Sequence, residues 1–284
     1  MVVHLVDGTY ELFRHFYGLR RFQKATASDK DTRYGAVCGV LHTVLQMIEK
    51  GATHVGVATD HVIESFRNHL WSGYKTGEGI EPALFAQFHP LERALAAMGV
   101  AVWPMVELEA DDALASAAHL AAADERVEKV CIWTPDKDLA QCVQGERVVQ
   151  MDRKSQQMRG AAGVRAKFGV DPAQIPDFLA LVGDTADGYP GIDGFGPVGA
   201  ARALNQYGSI ENFPDTVLGE RRHLALLFKD LATLRTNAPL FADVDQLRWR
   251  GPTDAFPATV DQLGDPRLLT RAKRGSELKS GTEP

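Results

Sequence analysis

Three carboxylates fall within four residues at Glu109-Ala110-Asp111-Asp112, and an alanine-rich run from Ala113 to Ala123 follows at once. At helical spacing Glu109 and Asp112 stand at i and i+3 and share a face. Two carboxylates about 4 Å apart repel by roughly 4 kcal/mol at an effective dielectric near 20, a cost that divalent cations would offset. Acids also suit the first turn of any helix because of its dipole, and for this cluster alone that explanation carries more weight. Yet Val106 and Leu108 precede the acids, and Leu114, Ala117, Ala118 and Ala121 follow at helical spacing, so the acids sit where a helix enters a core.

Such a cluster needs elements to hold it. Val2 to Val6 reads as a short apolar strand ending in Asp7-Gly8, and Val55 to Thr59 as a second ending in Asp60. Between them Arg33 to Lys50 has the pattern of an amphipathic helix, with Val37, Val40, Leu41, Val44, Leu45 and Ile48 on one face. This strand–helix–strand unit implies a parallel sheet. A helix through Leu84, Phe88, Leu91, Leu95 and Met98 and a strand from Val100 to Trp103 lead on to Glu109. Val130 to Trp133 is a further strand running into Thr134-Pro135-Asp136-Lys137-Asp138-Leu139, and Arg147 to Gln150 is expected to be the last. In an open α/β sheet the ligand crevice lies outside the carboxyl ends of the strands, so Asp7, Asp60, Asp136 and Asp138 converge there and the helix start at Glu109 faces it too.

From about Gly169 the pattern changes to short helices and glycine turns. Pro176 to Val182 is a helix, Pro190-Gly191-Ile192-Asp193-Gly194-Phe195-Gly196 makes a hairpin, and Pro197 opens the next helix, Val198 to Tyr207. The layout is helix-hairpin-helix, followed by a helix from Leu224 to Leu234. The expected organisation is therefore an α/β domain over 1–168, a helical domain over 169–268 and a polar, disordered tail over 269–284.

Composition narrows the function classes. The chain has 284 residues, 45% hydrophobic and 24% charged, as a soluble globular protein would. Cys38, Cys131 and Cys142 form no CxxC pair and no zinc spacing, which favours small core residues in a reducing cytoplasm. The N-terminus lacks a basic n-region, and no run is long enough to span a membrane, so no membrane partner is expected. A net charge of −6 argues against a nucleic-acid binder, but that argument weakens if the acids gather at one metal site.

Two local motifs invite other readings. Gly194-Phe195-Gly196-Pro197-Val198-Gly199 matches GxGxxG, yet a helix and hairpin precede it where a dinucleotide site needs a strand. A hairpin whose backbone N–H groups and helix start grip a nucleic-acid phosphate fits better. Asp136-Lys137-Asp138 resembles the DxD of haloacid-dehalogenase-type phosphohydrolases, but Leu139-Ala140 departs from that pattern. A small-molecule phosphohydrolase stays as an alternative, as does a catalytically idle DNA-structure binder.

Read together, Leu5-Val6-Asp7-Gly8, Asp60 with Ser65-Phe66-Arg67 and Gly73-Tyr74-Lys75, Glu109 to Asp112, Thr134 to Leu139, and Gly183-Asp184-Thr185-Ala186-Asp187 with Pro190-Gly191-Ile192 resemble the 5′→3′ exonuclease/flap endonuclease family. That family also supplies the N-terminal domain of bacterial DNA polymerase I, and Asp230 to Thr236 resembles the end of its nuclease domain. The resemblance implies a PIN-like, Rossmann-like, mostly parallel sheet with flanking helices, joined to a helical DNA-binding domain with the helix-hairpin-helix. It implies a structure-specific nuclease of DNA replication and repair, monomeric, acting on DNA with 5′ ends, flaps or nicks by a two-metal-ion mechanism.

By position, Asp7, Asp60, Glu109 and Asp111 resemble the first-metal carboxylates, with Asp112 close by, and Asp136, Asp138, Asp184 and Asp187 the second-metal group. Which of Asp111 and Asp112 touches metal stays open. Magnesium, two ions or more, suits such hard oxygen ligands, with manganese as a substitute. Lys75 and Arg67 would be the electrophilic partners of the scissile phosphate. Arg14 and Tyr10 would contact DNA near the entrance, with Tyr17 beside them; for Phe13 and Phe16 helix packing is an equal explanation. The segment near 66–89 resembles an arch that passes a single-stranded 5′ end. Gly191, Gly194, Gly196, Val198 and Gly199 would form the duplex-binding hairpin, with a potassium ion. There the family pattern has Lys-Thr where this chain has Val198-Gly199, so a phosphate contact is missing; Gly188 stands where Asn is often seen.

Overall fold

A computed structural model of the chain describes residues 1–26, 33–155 and 157–280. Six strands form one sheet: β1 (Val2–Asp7), β2 (His54–Asp60), β3 (Ala101–Met105), β4 (Lys129–Trp133), β5 (Val148–Asp152) and β6 (Gln157–Arg159). Their order is β3-β2-β1-β4-β5-β6. The first five are parallel, and β6, which the sequence reading omits, is short and antiparallel to β5. Strand order reverses between β1 and β4, so the switch-point crevice opens where Asp7 ends β1 and Thr134 follows β4.

Both faces of the sheet are covered, which is why His54 to Thr59 is buried throughout rather than alternating. On one face lie α1 (Gly8–Thr26), α2 (Gly35–Glu49), the single turn α4 (Pro82–Phe85) and α5 (Phe88–Ala97), with Val37, Val40, Leu41, Val44 and Leu45 packed against Val6, Val55 and Val57, while the single turn α3 (Arg67–Leu70) meets Asp112 and the Leu231 carbonyl. Phe13 and Phe16 join this core, Phe13 meeting Phe88 edge-on at 6.0 Å, so helix packing explains both. On the other face α6 (Ala110–Ala123) turns Ala113, Ala117, Ala118 and Ala121 onto Val3, Leu5 and Ile132. Small side chains let this helix lie close to the strands, bringing its first turn to their carboxyl ends.

A second core gathers α7 (Ala161–Phe168), α8 (Ile175–Val182), α9 (Pro197–Tyr207) and α10 (Arg222–Ala232) around Leu179, Ile192, Leu204, Phe213 and Phe228. The chain then returns to the sheet. Leu234, Val244 and Leu247 pack beside α6, while Trp249, α11 (Phe256–Leu263) and α12 (Arg267–Ser280) pack on the α2 side. The expectation of a disordered tail over 269–284 is thereby corrected for its described part. Leu268 and Ala272 are buried, and Arg271 holds Glu49 in a two-point ion pair at 3.0 and 2.6 Å. Polar composition misled because the apolar face of α12 is narrow; residues 281–284 lie outside the described residues.

Candidate metal centre

Asp7 is the last residue of β1, and its side chain is fixed at both oxygens. It accepts a hydrogen bond from the Tyr10 amide at 2.8 Å and from the Thr134 hydroxyl at 3.0 Å. Burial, with Asp60 and Asp136 nearby, pushes its pKa up to about 7. Asp60, at the end of β2, accepts from the first amide of α6, Ala110, at 2.8 Å, so the helix start is pinned to the strand end. Burial raises the Asp60 carboxyl as well, and it holds that of Asp111 well above the carboxylate range, with Asp136 and Asp7 adding to the effect.

The turn after β4 brings the next pair. The Asp138 amide donates to Asp136 at 2.9 Å, and Asp138 is buried at the start of a short 3-10 turn. Among the described residues its Oδ1 has no hydrogen-bond partner. Asp138, Asp184 and Asp187 each offer an oxygen within 4.8 Å of the others. Burial, then Asp136, Asp187 and Asp184, drives the Asp138 pKa well up. An orphaned, buried carboxylate oxygen among two further acids is the environment that hard divalent cations fit.

Two ammonium groups lie among these acids. Lys75 Nζ stands 2.7 Å from Glu109 and 3.1 Å from Asp187. Burial opposes its charge, but the two carboxylates outweigh burial and hold its pKa well above the ordinary lysine range. Lys137 Nζ lies 2.6 Å from Asp184. The sequence reading assigns Lys137 no role, although a lysine between two strand-end acids is a signal for one. Ser65 and Tyr74, which bond Glu109 at 2.7 and 3.3 Å, carried none beyond their place in motifs.

The hairpin region supplies Asp184 and Asp187 through backbone geometry. Gly183 and Gly191, both at positive φ, cross so closely that a Cβ on Gly191 would lie 2.4 Å from the Gly183 nitrogen. Asp184 bridges to Tyr189 across the turn, and Ala186 N donates to its Oδ1 at 2.9 Å. Gly188 also has positive φ, and a Cβ there would meet the Gly73 carbonyl at 2.0 Å, which accounts for glycine at this position. Lys75 N donates to the Asp187 carbonyl at 3.0 Å, tying the 66–89 segment to the hairpin region. The tip itself is exposed: Gly194, Gly196 and Gly199 have open space around them, and Val198 is 74% exposed.

Arg67 and Asp112 depart from the expected roles. Arg67 is 1% exposed, and its two terminal nitrogens grip Asp112 at 2.7 and 2.8 Å while one also reaches Glu109 at 3.1 Å. Its Nε donates to the Leu231 carbonyl at 2.8 Å, so all three nitrogens are engaged within the protein. Asp112 accepts as well from the amides of Glu109 at 3.0 Å and Arg235 at 2.8 Å, so both its oxygens are occupied. The i, i+3 spacing that suggested a shared ligand face instead makes a capping box, Glu109 at the N-cap and Asp112 at N3. The guanidinium groups of Arg67 and Arg235 both lie over the Phe66 ring, 4.6 and 4.7 Å from its centre.

Tyr10 and Arg14 follow Asp7 along one face of α1. Arg14 donates to the fully buried Glu11 through Nε at 3.2 Å, and Arg153 reaches the same carboxylate at 3.1 Å. Burial raises the Tyr10 pKa, and Tyr17 is 40% exposed on the next turns.

Residues 2–169 match the family model described as 5′-3′ exonuclease, N-terminal resolvase-like domain, and residues 170–255 match 5′-3′ exonuclease, C-terminal SAM fold. The chain belongs to the 5′-3′ exonuclease family. Within that family, a 5′-3′ exonuclease of Aquifex aeolicus is 32% identical over 212 residues, 74% of this chain and 71% of that protein. DNA polymerase I of Mycobacterium leprae is 34% identical over 259 residues, 86% of this chain and 28% of the polymerase. The chain thus spans about a third or less of the length of such polymerase relatives. Solved folds agree: the flap endonuclease of bacteriophage T5, in a complex with DNA and metal ions, gives a TM-score of 0.63 at 17% identity over 98% of both chains. The catalytic core of Rad2 with DNA substrate gives 0.60 at 15% identity over 95% of this chain and 89% of that one. This family member therefore has the PIN-like sheet and helical SAM-fold region of the 5′-3′ exonucleases. Among the described residues no helix is long and apolar enough to cross a membrane.

Proposed function

We propose that this chain hydrolyses phosphodiester bonds at 5′ ends, nicks or flaps of DNA, with magnesium at its acid crevice and manganese as a substitute. The observation that carries the reading is the partnerless Asp138 Oδ1 beside Asp184 and Asp187, continuous with Asp7, Asp60, Glu109, Asp111 and Asp136. Bound divalent ions would supply positive charge for the phosphate and lower the pKa of water, chemistry that carboxylates alone lack. Asp7, Asp60, Asp111, Asp136, Asp138, Asp184 and Asp187 would hold them. All-oxygen donors favour magnesium or manganese over softer metals.

The chain's own residues do the rest. Lys75, protonated between Glu109 and Asp187, presents fixed positive charge to the scissile phosphate. Glu109 keeps Lys75 charged, and Ser65, Tyr74 and Arg67 keep Glu109 in place. Arg67 with Asp112 acts as a positioning pair, binding the strand-end acids to the Leu231–Arg235 backbone. Tyr10 and Arg14 lie on the α1 face that leads away from Asp7, where a strand leaving the crevice would run. The exposed tip from Gly194 to Gly199 offers backbone N–H groups and the α9 start to a duplex phosphate, Gly191 being buried against Gly183, and a potassium ion would sit at the carbonyls of this turn. A reducing cytoplasm suits the three free cysteines, and a monomer is the state we expect.

The test is a 5′-labelled flap and a nicked duplex with magnesium, set beside a simple phosphomonoester. Cleavage of DNA alone is expected, lost in the Asp136→Ala, Asp138→Ala double variant. A double variant as fast as the parent would refute the assignment, and turnover of the monoester alone would favour the phosphohydrolase alternative.

A further inference from the structure

The acids of the second cluster are not equally available to a cation. Asp138 offers an oxygen without a partner. Asp187 is held by Lys75, which is also held by Glu109, and whose backbone is tied to the Asp187 carbonyl. Asp184 uses Oδ1 for the Ala186 amide and Oδ2 for Lys137, so each of its oxygens already has one partner and Oδ2 faces an ammonium ion. Lys137 has that one carboxylate as its ion-pair partner, and its side chain is 35% exposed at the crevice. Of the two lysines it is the one that can leave, because it gives up one carboxylate where Lys75 would give up two.

We propose that Lys137 is a tethered placeholder cation: it neutralises Asp184 in the metal-free protein and must leave before a divalent ion settles on Asp138, Asp184 and Asp187. The proposal rests on reading these acids as a metal centre. Physically, a lysine carried one residue before Asp138 in the Asp136-Lys137-Asp138 turn is always present at high effective concentration. A metal therefore binds only the fraction of molecules in which Asp184 is released, and its apparent affinity falls by that fraction. The placeholder keeps the cluster from repelling itself when empty, while setting a threshold of metal concentration for filling it.

The test is a titration of the full chain with Mn2+ without DNA, following free Mn2+ by electron paramagnetic resonance. Lys137→Met is expected to tighten the weaker site about tenfold, the effect of removing a competitor that occupies Asp184 for about nine-tenths of the time. Lys137→Gln repeats the measurement in a polar background, so that a packing defect in one variant does not decide it. Lys167→Met removes a nearby charge whose ammonium sits over the Phe168 ring, and is expected to change affinity less than twofold. Unchanged or weaker binding in both Lys137 variants, or an equal gain in Lys167→Met, would overturn the proposal. The Asp138→Asn, Asp184→Asn pair should abolish the site in every background. A parent chain with no Mn2+ site sensitive to that pair would instead overturn the metal reading itself.

Discussion

Asp111 and Asp112 are neighbours in the chain and opposites in the molecule. Asp111 lies in the crevice among Asp7, Asp136 and Asp138, its pKa driven well up by burial and then by their charge. Asp112 is fully buried, yet Arg67 and two amides satisfy both its oxygens. One region is a concentration of acids with a carboxylate oxygen left unpaired among the described residues; the other is a closed ion pair that fastens α6, the 66–89 segment and the Leu231–Arg235 backbone together. Carboxylate density alone therefore does not mark a ligand. What separates the two regions is whether a guanidinium or an amide already occupies the lone pairs.

Breaking the crevice should have the largest effect. Asp138→Asn is expected to reduce DNA hydrolysis about a thousandfold while leaving the metal-free melting temperature unchanged or raised, because it removes an unpaired buried charge. Flap cleavage and calorimetry on the same sample check both halves. Breaking the clasp should do the reverse. Arg67→Ala leaves Asp112 buried without its counter-ion and should cost about 3 kcal/mol of stability, read by denaturant unfolding. Asp112→Leu combined with Arg67→Met should recover part of that stability, because neither partner is then left as an unpaired buried charge.

Acidity sharpens the comparison further. The Asp7 carboxyl has a folded pKa raised to about 7, so the stability it contributes is fully present below the unfolded value near 4 and is lost as pH rises through 7. Without metal the protein should thus lose stability between pH 4 and 7. Because a cation must displace that proton, magnesium should bind about fivefold more weakly at pH 6 than at pH 7. Thermal shifts with and without magnesium across this range give the sign. The smallest effect is expected at the hairpin tip, where Val198→Lys should raise duplex affinity severalfold and steepen its salt dependence by about one phosphate contact.

Much of this was legible in the sequence because it rests on strand ends. Apolar runs that stop at Asp7 and Asp60, and one that runs into Asp136 and Asp138, define a parallel sheet and its crevice from local pattern alone. The family motifs then added Lys75, Asp184 and Asp187, which lie far apart in the chain. The Arg67–Asp112 pair was misread because spacing tells which residues share a helix face, not which cation from another segment reaches them. The final helix was missed for a related reason: Leu268 and Ala272 are few, and their partners on α2 lie more than two hundred residues earlier. β6, with three residues and two exposed side chains, has no pattern to read.

The central claim is that the crevice acids, and not the clasp, hold the catalytic cations. Anomalous diffraction from crystals soaked in Mn2+ tests it most directly. The account predicts ions contacting Asp138, Asp184 and Asp187 and the group of Asp7, Asp60 and Asp111, with Arg67 still on Asp112. An ion bound to Asp112 with Arg67 displaced, or no ion at Asp138, would contradict it.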